Sequence, residues 1–239
     1  MVRPNSESEQ TLFLPLAAAY DRWAPGYDVY DNPLLFAAGR VIERWAETVA
    51  GATVVEFGCG TGRNLARLGQ AGAARLIGCD LSAGMLARAR ARGAGLLLFR
   101  HDITQPAPLA GGIADLVLFC LALEHVGDLA APLAEARRLL RPGGRVVVIE
   151  IHPFLAQGDV QAHFRDGAVV VRMPTFAHRF ADHLNAAAAA GLTVAACREW
   201  RPRDCDGAPP PKLFKRGPDQ PVLVEFTLAA AAPSSGETG

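Results

Sequence analysis

Between Thr53 and Leu228, short apolar runs recur, each followed by a stretch whose apolar residues fall at helical spacing. The runs 53–57, 75–79, 95–100, 115–120 and 145–151 are apolar nearly throughout. Runs of that kind mark strands buried on both faces, and the helical stretches between them predict a parallel sheet covered on both sides. Gly62 opens the first of these helices, about ten residues long, and Ser82 is placed to cap the next, which runs toward Arg92. A helix over 131–140 ends at Arg141-Pro142-Gly143-Gly144, where proline cannot continue it and the glycines turn the chain.

The rhythm differs at either end of this block. Residues 34–49 carry Leu35, Val41, Ile42 and Trp45 at helical spacing before the Gly51 stop, and all three tyrosines, Tyr20, Tyr27 and Tyr30, lie ahead of them. Residues 153–180 are rich in His and Phe, and 164–171 reads as a hairpin turning at Asp166-Gly167. A helix over 180–190, a strand over 193–200, a long Pro-rich and charged loop, and a last strand over 222–228 complete the pattern. The expected organisation is an N-terminal helical cap (1–50), a core (51–230) with a cap insertion (153–180), and a disordered tail (231–239).

Composition narrows the partners. Lys plus Arg equal Asp plus Glu at 24 each, so no global field draws the 239-residue chain to nucleic acid or an anionic membrane, and a small-molecule partner is expected. The five cysteines (59, 79, 120, 197 and 205) include no C-x-x-C pair and read as reduced thiols. The first ten residues lack the apolar core of a signal peptide, and the longest apolar run is far too short to span a bilayer, so a cytoplasmic protein is expected.

The chemistry concentrates in Val54-Val55-Glu56-Phe57-Gly58-Cys59-Gly60-Thr61-Gly62, which joins the first strand of the block to its helix, and in Asp80, which closes the second strand. Glycines at such a turn let backbone approach a ligand, and an acid at the next strand end can accept both hydroxyls of a ribose. A dinucleotide site calls for G-x-G-x-x-G, whereas these glycines fall as G-x-G-x-G. Glu56 repels a diphosphate and suits a ligand bearing an ammonium or sulfonium charge. The alternative reading is a turn that merely packs a helix on the sheet.

This segment resembles the first motif of the class I S-adenosylmethionine-dependent methyltransferases, approximately (E/D)-x-G-x-G-x-G. The resemblance spans roughly residues 53–228 and is tightest between Val54 and Glu150. It implies a doubly wound, seven-stranded α/β sheet, mostly parallel with an antiparallel last strand, and S-adenosylmethionine as cofactor. Gly58, Gly60 and Gly62 would approach the methionine part, Glu56 its amino group, and Asp80 the ribose. Asp102 would accept from the adenine amino group, with Ile103, Leu81 and Met85 as apolar contacts. The simpler reading makes Asp102 a turn cap and Leu81 and Met85 core. Cys120, with Leu121, would offer backbone groups to the methionine end, and Tyr20 and Tyr27 a hydroxyl to its carboxylate.

Methyl transfer from a sulfonium is an in-line displacement that needs alignment and desolvation, with a base only where the acceptor must lose a proton. His125 and His152 follow the fourth and fifth strands of the block, at the edge where ligands of open α/β sheets lie. Either can transfer a proton, or simply complete packing. His152, His163, His178 and His183 fit no standard metal spacing, and no metal is expected. Phe154, Phe164 and Phe176 could wall an acceptor pocket or anchor the insertion. The expected activity is methylation of an O, N or C atom of a small molecule, as in quinone or natural-product biosynthesis. The alternatives are a cofactor-binding relative with a non-methylating role, a cyclase or non-catalytic subunit, and, further off, a nucleotide-dependent oxidoreductase. The N/D-P-P-Y/F motif of base-modifying members is absent after the fourth strand, where Phe119-Cys120-Leu121-Ala122 stands. Protein-arginine substrates call for a double-glutamate hairpin, which the chain does not carry.

Overall fold

A computed structural model describes residues 10–93, 95–158 and 162–231; most of the expected tail lies outside them. The central sheet runs through β2 (Thr53–Phe57), β3 (Arg75–Asp80), β4 (Leu96–Arg100), β5 (Ala114–Cys120), β6 (Leu140–Ile151), β9 (Leu192–Trp200) and β10 (Leu223–Ala230). Its spatial order is β4-β3-β2-β5-β6-β10-β9, with β10 antiparallel to both neighbours and the pairs from β4 to β6 parallel. The chain winds one way through β2, β3 and β4 and the other way through β5 and β6. The strand order therefore reverses between β2 and β5, and ligands of open α/β sheets lie beyond the carboxyl ends at such a reversal.

Successive residues of each strand feed opposite layers. Val54, Leu116 and Leu118 join the core beneath α2 (Pro33–Ala46) and α3 (Arg63–Gln70). Val55, Phe57, Val117 and Phe119 join the core beneath α5 (Ala130–Leu139) and α7 (Phe180–Ala189). Asn32 caps α2, its Oδ1 accepting from Leu34 N at 2.9 Å. Ser82 caps α4 (Ala83–Ala91) as expected, its Oγ accepting from Met85 N at 3.0 Å.

Two features depart from the sequence expectation. The helix α5 ends at Leu139, as the Arg141-Pro142-Gly143-Gly144 segment predicts, but the next strand begins before that segment and not at Arg145. β6 starts at Leu140, opposite Ala114, and resumes register with Arg145 opposite Leu116, so the segment forms an irregularity inside the strand. Gly143 takes φ +82°, and a Cβ on Gly144 would lie 2.8 Å from the Ala114 carbonyl oxygen.

The second departure is at the amino end. Residues β1 (Gln10–Phe13) pair in parallel with β8 (Val169–Arg172), which pairs antiparallel with β7 (His163–Asp166), giving a separate three-stranded sheet. The hairpin turn is Gly167-Ala168, one residue beyond the expected Asp-Gly, because Asp166 still pairs with Val169. This small sheet packs on α1 (Leu16–Trp23): the rings of Trp23 and Phe164 stack at 4.7 Å, and Arg22 Nε donates to Asp166 Oδ2 at 2.6 Å. No helix of the described residues is long and apolar enough to cross a membrane.

Candidate functional site

The three glycines after β2 all take left-handed conformations, with φ +70° at Gly58, +53° at Gly60 and +72° at Gly62. Asp80 ties that turn to the next strand: Oδ2 accepts from Gly60 N and Oδ1 from Ser82 N, both at 2.8 Å. Burial pushes the Asp80 carboxyl up, and those two backbone donors pull it back toward ionisation. A carboxylate offers about four lone-pair sites. With backbone donors on both oxygens, acceptor capacity is still left for a ligand hydroxyl.

Beyond the strand ends lies a cleft of about 910 Å³, part of it open to solvent. Gly58, Gly60, Asp80, Leu81, Met85, Asp102, Ile103 and Cys120 line it from the core, and Tyr20, Tyr27 and His125 close it. The structure thus brings together eleven of the fourteen side chains or glycines expected from sequence. Asp102 also caps a turn, its Oδ1 accepting from Thr104 N at 2.9 Å and Thr104 Oγ1 at 2.8 Å. Leu121 N donates to the Ile149 carbonyl at 2.8 Å within the sheet, which leaves the Cys120-Leu121 corner without that amide for a ligand.

Three expected residues stand outside the cleft lining. Glu56, 1% exposed, lies in the core next to it; Oε1 accepts from Asn64 Nδ2 at 2.7 Å, while buried Oε2 has no partner. Burial pushes its pKa to about 8, with the Asn64 hydrogen bond and the Arg63 charge acting against that rise. An orphaned acceptor beside a cleft fits a cationic donor such as the ammonium of an amino acid, which would also favour the ionised carboxylate. Gly62 packs instead of binding: a Cβ there would come within 3.0 Å of Ala89 and 3.3 Å of Leu96.

His152 stands outside the cleft lining and caps a helix. Its Nδ1 accepts from Phe154 N at 3.2 Å at the start of α6 (Pro153–Ala156), so the proton sits on Nε2, 3.0 Å from Glu199 Oε1. Both nitrogens are occupied.

The amino-terminal segment is latched over the cleft at two points. Asp21 Oδ1 accepts from Ser82 Oγ at 2.6 Å and Gly84 N at 2.7 Å. Asp28 accepts from Thr61 Oγ1 at 2.7 Å and pairs with Arg92. The Tyr20 hydroxyl meets His125 Nε2 at 2.8 Å, and His125 Nδ1 meets the Pro174 carbonyl at 2.7 Å. A carbonyl can only accept, so Nδ1 carries the ring proton and the Tyr20 hydroxyl donates to Nε2. Burial raises both tyrosine phenols and lowers His125, which keeps this chain of hydrogen bonds neutral.

A second cavity, about 970 Å³, shares Tyr20, Tyr27 and Leu121 with the cleft and is walled further by Trp23, Tyr30, Leu34, Leu35 and Ile151. The expected phenylalanine walls line neither space: Phe154 is 59% exposed, Phe164 is buried behind Trp23, and Phe176 packs near Gly127. The aromatic walls come from the amino-terminal segment instead. Leu121, at the shared wall, is the one non-glycine residue with positive φ, +54°, among the described residues.

Sequence reasoning passed over Asp21, Asp28, Asn64, Glu124 and Glu150. Glu150 is buried near the end of β6, and its Oε1 accepts from Ala122 N at 3.0 Å and Leu123 N at 2.8 Å, holding the corner after β5. The available signal was Glu150 between two isoleucines at a strand end and Glu124 beside His125 after the preceding strand. Among the described residues no three His, Cys, Asp or Glu side chains converge as a metal site; His178 Nε2 donates to the Val126 carbonyl at 2.8 Å.

Residues 55–148 match the family model described as a methyltransferase domain. A demethylmenaquinone methyltransferase of Beutenbergia cavernae is 33% identical over 139 residues, 56% of this chain and 57% of that protein. A malonyl-[acyl-carrier protein] O-methyltransferase of Yersinia pestis is 31% identical over 183 residues, 72% of this chain and 66% of that protein. The matches thus span between about half and two thirds of the length of these relatives. The crystal structure of an S-adenosylmethionine-dependent methyltransferase from Mesorhizobium loti superposes with TM-score 0.66 at 25% identity, covering 80% of this chain and 97% of that one.

Proposed function

This chain belongs to the class I S-adenosylmethionine-dependent methyltransferases, and from that premise we propose that it transfers the methyl group of S-adenosylmethionine to an O, N or C atom of a small-molecule acceptor. The observation that carries the reading is the junction of two spaces: a cleft edged by the glycine turn and Asp80, and an aromatic cavity that meets it at Tyr20, Tyr27 and Leu121.

In this reading Asp80 accepts the ribose hydroxyls, Asp102 the adenine amino group, and Leu81, Met85 and Ile103 pack on the adenine. Glu56 Oε2 balances the ammonium, directly or through water, and the Tyr27 hydroxyl, held protonated, faces the carboxylate, while the Tyr20 proton is given to His125 instead. Gly58 and Gly60 keep the turn low enough for close approach. The cofactor supplies a methyl on a sulfonium, which leaves without needing a proton. The chain's part is to align the acceptor and exclude water.

The aromatic walls support a planar or apolar acceptor, in keeping with the quinone named in the Beutenbergia relative. The decisive experiment incubates the protein with methyl-labelled S-adenosylmethionine and a panel of quinols, phenols, amines and acyl thioesters, reading label in extracted products. Labelled product is expected from a planar acceptor. Binding of S-adenosylhomocysteine with no labelled product across the panel would favour a non-methylating cofactor-binding role.

A further inference from the structure

Glu124 sits on the short 3₁₀ turn (Leu123–His125) that follows β5, and its side chain is 12% exposed. It lines the aromatic cavity together with Tyr20, Trp23, Tyr27 and Leu121. Its Oε2 is buried without a hydrogen-bond partner, and Oε1 lies 3.9 Å from His125 Nε2, beyond hydrogen-bond reach. An unsatisfied carboxyl oxygen in an apolar pocket costs about 1–3 kcal/mol unless a ligand completes it. The turn is stiffly held, because Glu150 ties down Ala122 N and Leu123 N and Leu121 is in a left-handed conformation.

The tyrosines lining the cavity are poorly suited to take a proton. The Tyr20 hydroxyl is committed to His125, and burial raises both Tyr20 and Tyr27. Lys212 pairs with Asp31 at 2.7 Å, with both side chains more than half exposed. His163 lies on the exposed edge of β7.

Building on the methyltransferase reading, we propose that the aromatic cavity is the acceptor site and that Glu124 is a catalytic residue in it, selecting planar acceptors with an acidic O–H, of the phenol or enol class, and accepting that proton. In the step, the acceptor oxygen bonds to the methyl carbon while the C–S bond breaks and its electron pair stays on sulfur. The O–H proton passes to the ionised Glu124 carboxylate and leaves to solvent after product release. Burial, with the Glu150 charge adding to it, pushes the Glu124 carboxyl up to about 8, near the acidity of such donors. Facing it are Glu150, His125, Tyr20 and Tyr27; His178 and His183 line a small pocket with it, and Asp31, His163, Lys212 and Lys215 stand across the cavity.

The test uses the full chain loaded with S-adenosylhomocysteine and two probes, 2-naphthol and its capped ether 2-methoxynaphthalene. Wild type is expected to bind 2-naphthol about 10-fold or more tightly than the ether, and Glu124→Gln to lose that preference while keeping its homocysteine-nucleoside affinity and melting temperature. With S-adenosylmethionine, transfer to 2-naphthol should fall about 100-fold or more in Glu124→Gln, and the rise of kcat/KM with pH toward 8 should disappear. Glu124→Asp should restore part of the rate, and His163→Ala, whatever it does to acceptor binding, should keep the alkaline limb. The assignment is overturned if wild type does not distinguish the probes, if Glu124→Gln keeps rate and pH profile, or if His163→Ala abolishes the limb. Failure of wild type to bind S-adenosylhomocysteine would instead strike the underlying methyltransferase reading.

Discussion

The Tyr20 hydroxyl donates to His125 Nε2 at 2.8 Å, joining the amino-terminal segment to the turn after β5 directly over the cleft. With Nδ1 bound to the Pro174 carbonyl, His125 clamps three separate parts of the chain and is poorly placed to act as a free base. Tyr20→Phe and His125→Ala should each weaken S-adenosylhomocysteine binding by about 10-fold, the worth of a buried hydrogen bond. Neither should remove the alkaline rise in activity. Calorimetry and a pH–rate profile check both statements.

Two glycines of the turn, Gly58 and Gly60, should fail differently. A Cβ at Gly58 would lie 2.7 Å from Ala122 Cβ, on top of the left-handed strain, whereas at Gly60 it meets nothing within 4 Å. Gly58→Ala should lower the melting temperature by several degrees or more. Gly60→Ala should cost about 1–2 kcal/mol of strain and put its methyl at the cleft, so it loses more in ligand binding than its melting temperature suggests.

Much of this architecture was legible because the apolar runs of β2, β3, β5 and β6 are long enough to mark buried strands, and the glycine spacing with Asp80 marks their ligand edge. The strand β1 was not legible: its four residues are largely exposed, and its partner β8 lies more than 150 residues away in sequence. His152 and Glu124 show the limit more sharply. Both stand after strand ends, yet one has its nitrogens consumed by local capping and the other has an empty acceptor in a cavity. Sequence position alone cannot separate those cases, because hydrogen-bond supply is a property of the packed neighbours.

Stability should peak at mildly acidic pH. Burial raises Glu56 and Glu124 to about 8 and Glu150 to about 7, above the ordinary carboxyl value they regain on unfolding. The folded state therefore binds more protons between about pH 4.5 and 8, and stability falls as pH rises through that window. Burial also lowers His183 to about 4, so below about pH 6.5 the unfolded chain takes up a proton that the folded one refuses, and stability falls again toward pH 4. Differential scanning calorimetry of the ligand-free protein should show a melting temperature several degrees lower at pH 8.5 than at pH 6. Glu56→Gln should reduce that difference.

The most direct measurement is calorimetric titration of S-adenosylhomocysteine and of NAD into wild type and Asp80→Asn, which keeps the shape of the side chain but not its acceptor capacity. S-adenosylhomocysteine should bind wild type, bind Asp80→Asn about 10-fold or more weakly, and NAD should not bind either. Binding of NAD without S-adenosylhomocysteine, or unchanged S-adenosylhomocysteine affinity in Asp80→Asn, would contradict the account of this cleft.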